Sequence, residues 1–152
     1  MDLTTLRQLL TSLRGARTCV VGDVCLDAYW SIDGSRSEES LETALQTRPV
    51  REQRYFAGGG SNVAVNLRAL GVGQVSMFGV VGKDPFGGWL LEVLDGEGID
   101  TSGVLIQPIS WATQVFVKPH EGGSEQSRID LGNWNELLDT TREALLGRLE
   151  AA

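Results

Sequence analysis

Histidine is nearly missing from this sequence, in which His120 is the only one. A Ser-His-Asp triad or a histidine-rich metal centre therefore has almost nothing to be built from. His120 stands between Pro119 and Glu121-Gly122-Gly123, a setting that reads as an exposed loop. Cysteine is scarce too, and the spacing of Cys19 and Cys25 matches neither a redox pair nor a zinc knuckle. Both are expected to be reduced and structural, as suits a cytoplasmic address. Positive charge is in short supply, with 13 Lys and Arg against 20 Asp and Glu and a net charge of -7. Polyanions are held by clustered cations, so neither a nucleic acid nor an anionic membrane is expected as partner. Asp2, Arg7 and Arg14 interrupt the start of the chain, where neither a secretory signal nor a membrane-spanning helix can be read.

What is abundant is glycine, 19 of 152 residues against an average share of about 7%. The glycines cluster, marking turns and close backbone approaches. A chain of this length hides about 70% of its unfolded surface on folding, enough for one domain with a core. Asp2 can cap a helix carrying Leu3, Leu6, Leu10 and Leu13, with Gly15 placed for a left-handed stop. Thr18-Cys19-Val20-Val21-Gly22-Asp23 reads as a buried strand of a parallel sheet that ends in a carboxylate. Two strands, around 29–32 and 50–56, are expected to form a small antiparallel excursion across the polar stretch 35–42.

Gly58-Gly59-Gly60-Ser61-Asn62 then opens a helix that Gly71 closes, and Val75 to Val81 supplies a second central strand. Asp84 as N-cap with Pro85 behind it starts a third helix, stopped by Gly96 and Gly98. The β-α-β-α order implies parallel strands joined by right-handed crossovers. Strands are expected at 104–106, 113–117 and 127–131, the last two joined through Gly122 and Gly123. Leu137, Leu138, Leu145, Leu146 and Leu149 form an amphipathic helix running to the last residue, Ala152, with no strand behind it. The sequence therefore looks like part of a larger α/β architecture.

Three glycines before a helix let a ligand reach the backbone, and the free N–H groups of the first turn point at it. Asn62 adds a side chain that both donates and accepts, suited to polyol hydroxyls. Asp27, just beyond the first strand, is an acceptor-only carboxylate able to take two neighbouring hydroxyls. Asp23 sits at a strand end, where it either caps the loop or touches a ligand. Arg36, Arg51, Arg54, Lys118 and Arg128 are the cations available to a phosphorylated ligand, or equally a solvated strand face. Trp30, Trp89, Trp111 and Trp134 are read as core or interface residues. Gly82-Lys83-Asp84 lacks the upstream glycine and the following Ser or Thr of a phosphate-binding P-loop.

Val20-Val21-Gly22-Asp23-Val24-Cys25-Leu26-Asp27, the run from Gly58 to Gly71, and Gly79-Val80-Val81-Gly82-Lys83-Asp84-Pro85-Phe86-Gly87 together resemble the successive N-terminal motifs of the ribokinase-like (PfkB) carbohydrate kinases. Val72-Gly73-Gln74 makes the turn between Gly71 and Gly82 one residue longer than the commonest form. The stretch 22–30 and Arg128-Ile129-Asp130 are most similar to heptose-7-phosphate kinase domains, although 37–48 does not follow their proline-rich pattern.

The resemblance implies a partial ribokinase-like three-layer α/β sandwich over 1–152. Its sheet would be mostly parallel, with a small antiparallel β lid drawn from 26–56 and 112–131. Asp27 and Asn62 would bind sugar hydroxyls, Gly58, Gly59 and Gly60 would line the pocket, and Asp23 and Arg128 would be secondary contacts. The lid would close over a sugar or sugar phosphate and offer a homodimer interface. ATP and Mg²⁺ would serve the complete enzyme. The Asp-Thr-x-Gly-Ala-Gly-Asp type of segment that carries the base and anion-binding helix in such kinases does not occur here. No catalytic or metal-binding residue is therefore assigned to this chain, and the nucleotide-binding half is expected to be absent. A non-catalytic sugar-binding module and a dinucleotide-binding unit are the alternatives, the latter disfavoured because its glycines should follow the first strand.

Overall fold

The structure, a computed structural model, describes residues 2–152. In chain order its elements are α1 (Leu3–Ser12), β1 (Arg17–Val21), β2 (Val24–Ile32), β3 (Val50–Gly58), α2 (Gly59–Ala69), β4 (Gln74–Gly82), α3 (Pro85–Gly96), β5 (Asp100–Gln107), β6 (Gln114–Glu121), β7 (Ser124–Glu125), β8 (Ile129–Leu131) and α4 (Asp139–Glu150). Strands β1, β4 and β5 form a parallel sheet in the order β1-β4-β5. The remaining strands build a second sheet in the order β3-β2-β6-β7, with β8 also on β6.

Helix starts follow their local chemistry. Asp2 accepts the Thr5 N–H at 2.8 Å, and Asp84 accepts the Gly87 N–H at 2.9 Å with Pro85 in the first turn. Each satisfies a backbone donor that the helix itself leaves free. The end of α1 differs from expectation. Gly15 takes no left-handed conformation; the chain tightens into a 3-10 turn over Leu13–Gly15. The Leu13 carbonyl accepts instead from Ala16 and Gly73 N–H groups, at 3.0 and 2.9 Å, so it needs no glycine cap.

Strand β1 is a correction as well. It pairs only with β4 and alternates exposed and half-buried positions, leaving Cys19 and Val21 exposed. The buried central strand is β4, which has a neighbour on each side and carries Met77 and Val81 fully out of solvent.

The second sheet is mixed, not wholly antiparallel. β2 pairs antiparallel with β3 but parallel with β6, in unbroken register from Cys25 opposite Gln114 to Ile32 opposite Glu121. His120 consequently lies inside β6, opposite Ser31 and Glu125, and not in a loop. Its ring is half-buried, with Nδ1 3.0 Å from the Lys118 carbonyl. The turn comes at Gly122 and Gly123, both left-handed, and leads into the two-residue β7, while β8 is confined to Ile129–Leu131.

Leu26, Ala28, Ala57, Ala64, Met77, Val81, Leu90, Leu94, Val115 and Val117 form one core joining both sheets to α2 and α3. Each large side chain buried there contributes about 1.5–3 kcal/mol. Gln107 is fully buried yet satisfied, donating to the Ile109 and Glu136 carbonyls at 2.8 Å and accepting from the Leu138 N–H at 3.2 Å. It ties the entrance of α4 to the end of β5. Helix α4 begins after Leu137 and Leu138 and buries no residue fully, and Trp134, expected in a core or interface, is 90% exposed. No helix of the described residues is long and apolar enough to cross a membrane.

Candidate functional site

Asp27 lies in the middle of β2, with Phe56 of β3 and Phe116 of β6 directly opposite. Residues paired across strands share a face, and alternate residues along a strand return to it. One face of the second sheet is therefore the apolar set Leu26, Ala28, Ala57, Val115 and Val117, turned to the core. The other carries Asp27, Tyr29, Phe56, Phe116 and Lys118. Tyr29 stands edge-on to Phe56 with ring centres 5.7 Å apart, and Lys118 lies 4.9 Å from the centre of the Tyr29 ring.

Lys118 Nζ is 2.9 Å from Asp27 Oδ2 and donates to the Tyr29 hydroxyl at 3.2 Å. The two charged side chains are about one-fifth exposed. Partial burial pulls the Lys118 pKa down, but hydrogen bonds to Asp27 and Tyr29, with the Asp27 charge, outweigh it and leave the pKa raised. The ammonium is thus firmly protonated beside a carboxylate at neutral pH.

The glycine run comes up against this carboxylate. A Cβ on Gly58 would sit 3.1 Å from Asp27 Oδ1 and 3.1 Å from Cys25 Sγ, and one on Gly60 would sit 3.0 Å from the Asp23 carbonyl. Gly59 is left-handed at φ +49°, and a Cβ there would be 2.8 Å from Cys25 Sγ. These glycines are therefore required by the close crossing of α2 over β2. Cys25 is buried between them, and its thiol is pushed up to about 11, first by burial and then by Asp27 and Asp23. It stays protonated and unreactive at physiological pH.

Asn62, in the first turn of α2, is exposed; Ser61 beside it is fully buried, with a hydroxyl that has no hydrogen-bond partner. Asp23 is exposed at the end of β1, against Gly59 and Gly60. Asp27, Asp23 and the three glycines are thus contiguous, with Asn62 one turn along the same helix. Arg128 sits apart from the glycines, over the Phe116 ring at 4.6 Å and paired to both oxygens of Asp130 at 2.6 and 2.8 Å. Arg51 and Arg54 approach Asp33 and Glu52 at 3.8 and 3.7 Å. Sequence reasoning offered Lys118 only as a cation for phosphate and missed it as the partner of Asp27. It also missed Tyr29, Phe56 and Phe116 as the aromatic surround. The signal was the alternation Asp27-x-Tyr29 and Phe116-x-Lys118 on two strands whose pairing is non-local.

A cavity of about 430 Å³ lies elsewhere, among β1, β4, β5 and the end of α4, lined by Arg17, Ser76, Asp100 and Arg148 and sharing no residue with this face. Among the described residues no group of three or more His, Cys, Asp or Glu side chains gathers to hold a metal ion. The glycine run leaves the antiparallel strand β3, not a strand of the parallel sheet, which is the wrong context for a dinucleotide fingerprint.

The family model described as pfkB family carbohydrate kinase matches residues 16–148. The bifunctional protein HldE of Hydrogenovibrio crunogenus is 41% identical over 85 residues, covering 56% of this chain and 17% of that protein. HldE of Haemophilus influenzae is 33% identical over 145 residues, or 95% of this chain and 29% of that protein. The solved Arabidopsis thaliana ribokinase complexed with ribose and ATP superimposes with a TM-score of 0.58 at 26% identity, covering 76% of this chain and 35% of that one. The chain thus spans less than a third of the length of these two curated relatives.

Proposed function

This chain belongs to the pfkB family of carbohydrate kinases, and on that premise we propose that it supplies the sugar-binding part of an ATP-dependent sugar or sugar-phosphate kinase. The observation that carries the reading is the Asp27 carboxylate set against Gly58, at the entrance of α2, on an aromatic face of the second sheet. In this reading Asp27 accepts hydrogen bonds from sugar hydroxyls, and amides at Gly58, Gly59 and Gly60 line the sugar. Asn62 gives and takes a further pair. Tyr29, Phe56 and Phe116 cover the apolar C–H faces of the ring. Asp23 and Arg128 are outer contacts, and the second sheet acts as a lid that excludes water from the transfer and offers a homodimer surface.

ATP supplies the γ-phosphoryl group in this family's reaction, and the arrangement of Asp27, the glycines and Asn62 does the orienting. The base that takes the hydroxyl proton is assigned to no residue of these 152. A heptose 7-phosphate is the favoured substrate, because 22–30 and Arg128-Ile129-Asp130 resemble heptose-7-phosphate kinase domains and the HldE protein of Haemophilus influenzae aligns with 95% of the chain. In this reading the protein works in the cytoplasm, where the free Cys19 and Cys25 would stay reduced.

The test is an ADP-release assay on the full-length protein with ATP, Mg²⁺ and, in turn, D-ribose, D-fructose and sedoheptulose 7-phosphate. Sugar-dependent ADP release is expected. ADP release that no sugar stimulates, with no sugar binding by calorimetry, overturns the proposal.

A further inference from the structure

We propose that Lys118 is itself a sugar ligand, forming with Asp27 a donor–acceptor pair that recognises two neighbouring hydroxyls of the substrate. The inference rests on the sugar-binding reading above and adds to it a specificity-determining residue on β6.

Geometry carries the argument. Lys118 Nζ and Asp27 Oδ2 are 2.9 Å apart, close to the separation of adjacent hydroxyl oxygens on a sugar. A carboxylate only accepts and an ammonium only donates. A vicinal diol laid across the pair satisfies both: one hydroxyl donates to Asp27, and its neighbour accepts from Lys118 while its own proton stays free. An ammonium has three donors, of which Asp27 and Tyr29 take two, leaving one for a ligand. The Tyr29 hydroxyl is used as an acceptor, so its proton is likewise available.

Electrostatics support the same assignment. Arg128, the other cation near this face, has both ends of its guanidinium fork engaged by Asp130. Its charge is already compensated by that carboxylate, 2.6 Å away. Lys118 instead holds its ammonium 4.9 Å from the centre of the Tyr29 ring and 2.9 Å from the carboxylate that faces the glycine run. A purely structural ion pair has no need of that position. A pair as buried as this gives up so much hydration that apolar side chains of the same size would hold the fold about as well, so stability alone does not account for it.

The experiment is calorimetric titration of full-length wild type, Lys118→Met and Asp27→Asn. The probes are the best-bound of D-ribose, D-fructose and sedoheptulose 7-phosphate, and that sugar's monodeoxy derivatives. Lys118→Met is expected to lose tenfold or more in affinity for the parent sugar. It should lose little for the one deoxy derivative that lacks the accepting hydroxyl, as a hydrogen bond to a charged group requires. An equal loss for the parent and every deoxy sugar makes Lys118 a structural partner of Asp27 only and overturns the inference. If Asp27→Asn still abolishes binding in that case, the sugar-binding reading stands. Affinities unchanged in both variants overturn that reading as well. Lys118→Arg, which keeps the charge and the pairing, serves if the methionine variant does not fold. It should bind the parent sugar more weakly because the planar fork misplaces the donor.

Discussion

Asp84 and Thr113 hold each other from opposite sides of the junction between the two sheets. Asp84 Oδ2 accepts the Thr113 N–H at 2.8 Å, while Thr113 Oγ1 accepts the Gly82 N–H at 2.9 Å. Asp84 Oδ1 meanwhile caps α3 through Gly87. One carboxylate therefore starts a helix of the first sheet's layer and anchors the entry to β6, and Thr113 is buried where this happens.

Replacing that carboxylate should be costly. Asp84→Ala removes an N-cap, worth about 1 kcal/mol, and orphans a donor next to a buried residue, worth about 1–3 kcal/mol. Urea unfolding should show a lower midpoint with an unchanged slope, corresponding to a loss of about 2–4 kcal/mol. A midpoint within error of wild type would show that the clasp contributes nothing.

Two glycines of opposite circumstance make a paired prediction. Gly59 is left-handed and faces Cys25 Sγ, so Gly59→Ala should destabilise by about 1–3 kcal/mol, from backbone strain and the crowded thiol. Gly88 lies inside α3 with nothing within 4 Å of an added Cβ. Gly88→Ala should stabilise by about 0.5–1 kcal/mol. Thermal unfolding of the two variants should bracket wild type.

Asp27→Ala in the full-length protein should weaken sugar binding by about 1.5–3 kcal/mol, the range for hydrogen bonds to a charged group. Calorimetric titration with the sugars named above measures it. An unchanged affinity removes Asp27 from the site.

Acid should destabilise the fold in a defined window. Asp2 is held low by the Thr5 N–H, Asp33 by the Ser35 hydroxyl, Asp100 by the Ser102 N–H and Asp130 by the Arg128 guanidinium. A carboxyl depressed below its ordinary value of 3.8 adds stability that is fully present above that value. That stability is lost as pH falls through the lowered folded value. Melting temperature should therefore be insensitive to these groups above about pH 5 and fall between about pH 4 and pH 2. A melting temperature that holds down to about pH 2 would contradict this.

What could be read from residues alone was what depends on near neighbours. Asp2 and Asp84-Pro85 begin helices because a cap needs only the next three residues, whereas Gly58-Gly59-Gly60 marks the opening of α2 by composition alone, with no side chain capping it. Burial of a strand depends on what lies beside it, and for β1 that is β4 alone, a fact that Thr18 to Val21 cannot reveal. His120 and Pro119 carry loop-like neighbours, yet parallel pairing with Trp30 and Ser31 draws both into β6. The candidate site divides along the same line. Asp27 and the glycines announce themselves locally, whereas the bond from Lys118 to Asp27 exists only because two distant strands come side by side.

That parallel pairing also governs when the face bearing Asp27 and Lys118 comes into being. Tyr29 and Lys118 meet across 89 positions of chain, with α2, β4, α3 and β5 all lying between them. Closing so long a loop is slow, so the hairpin of β2 and β3 must wait, one edge unpaired, until β6 arrives beside it. During synthesis the face cannot be complete until the chain has been made through Lys118.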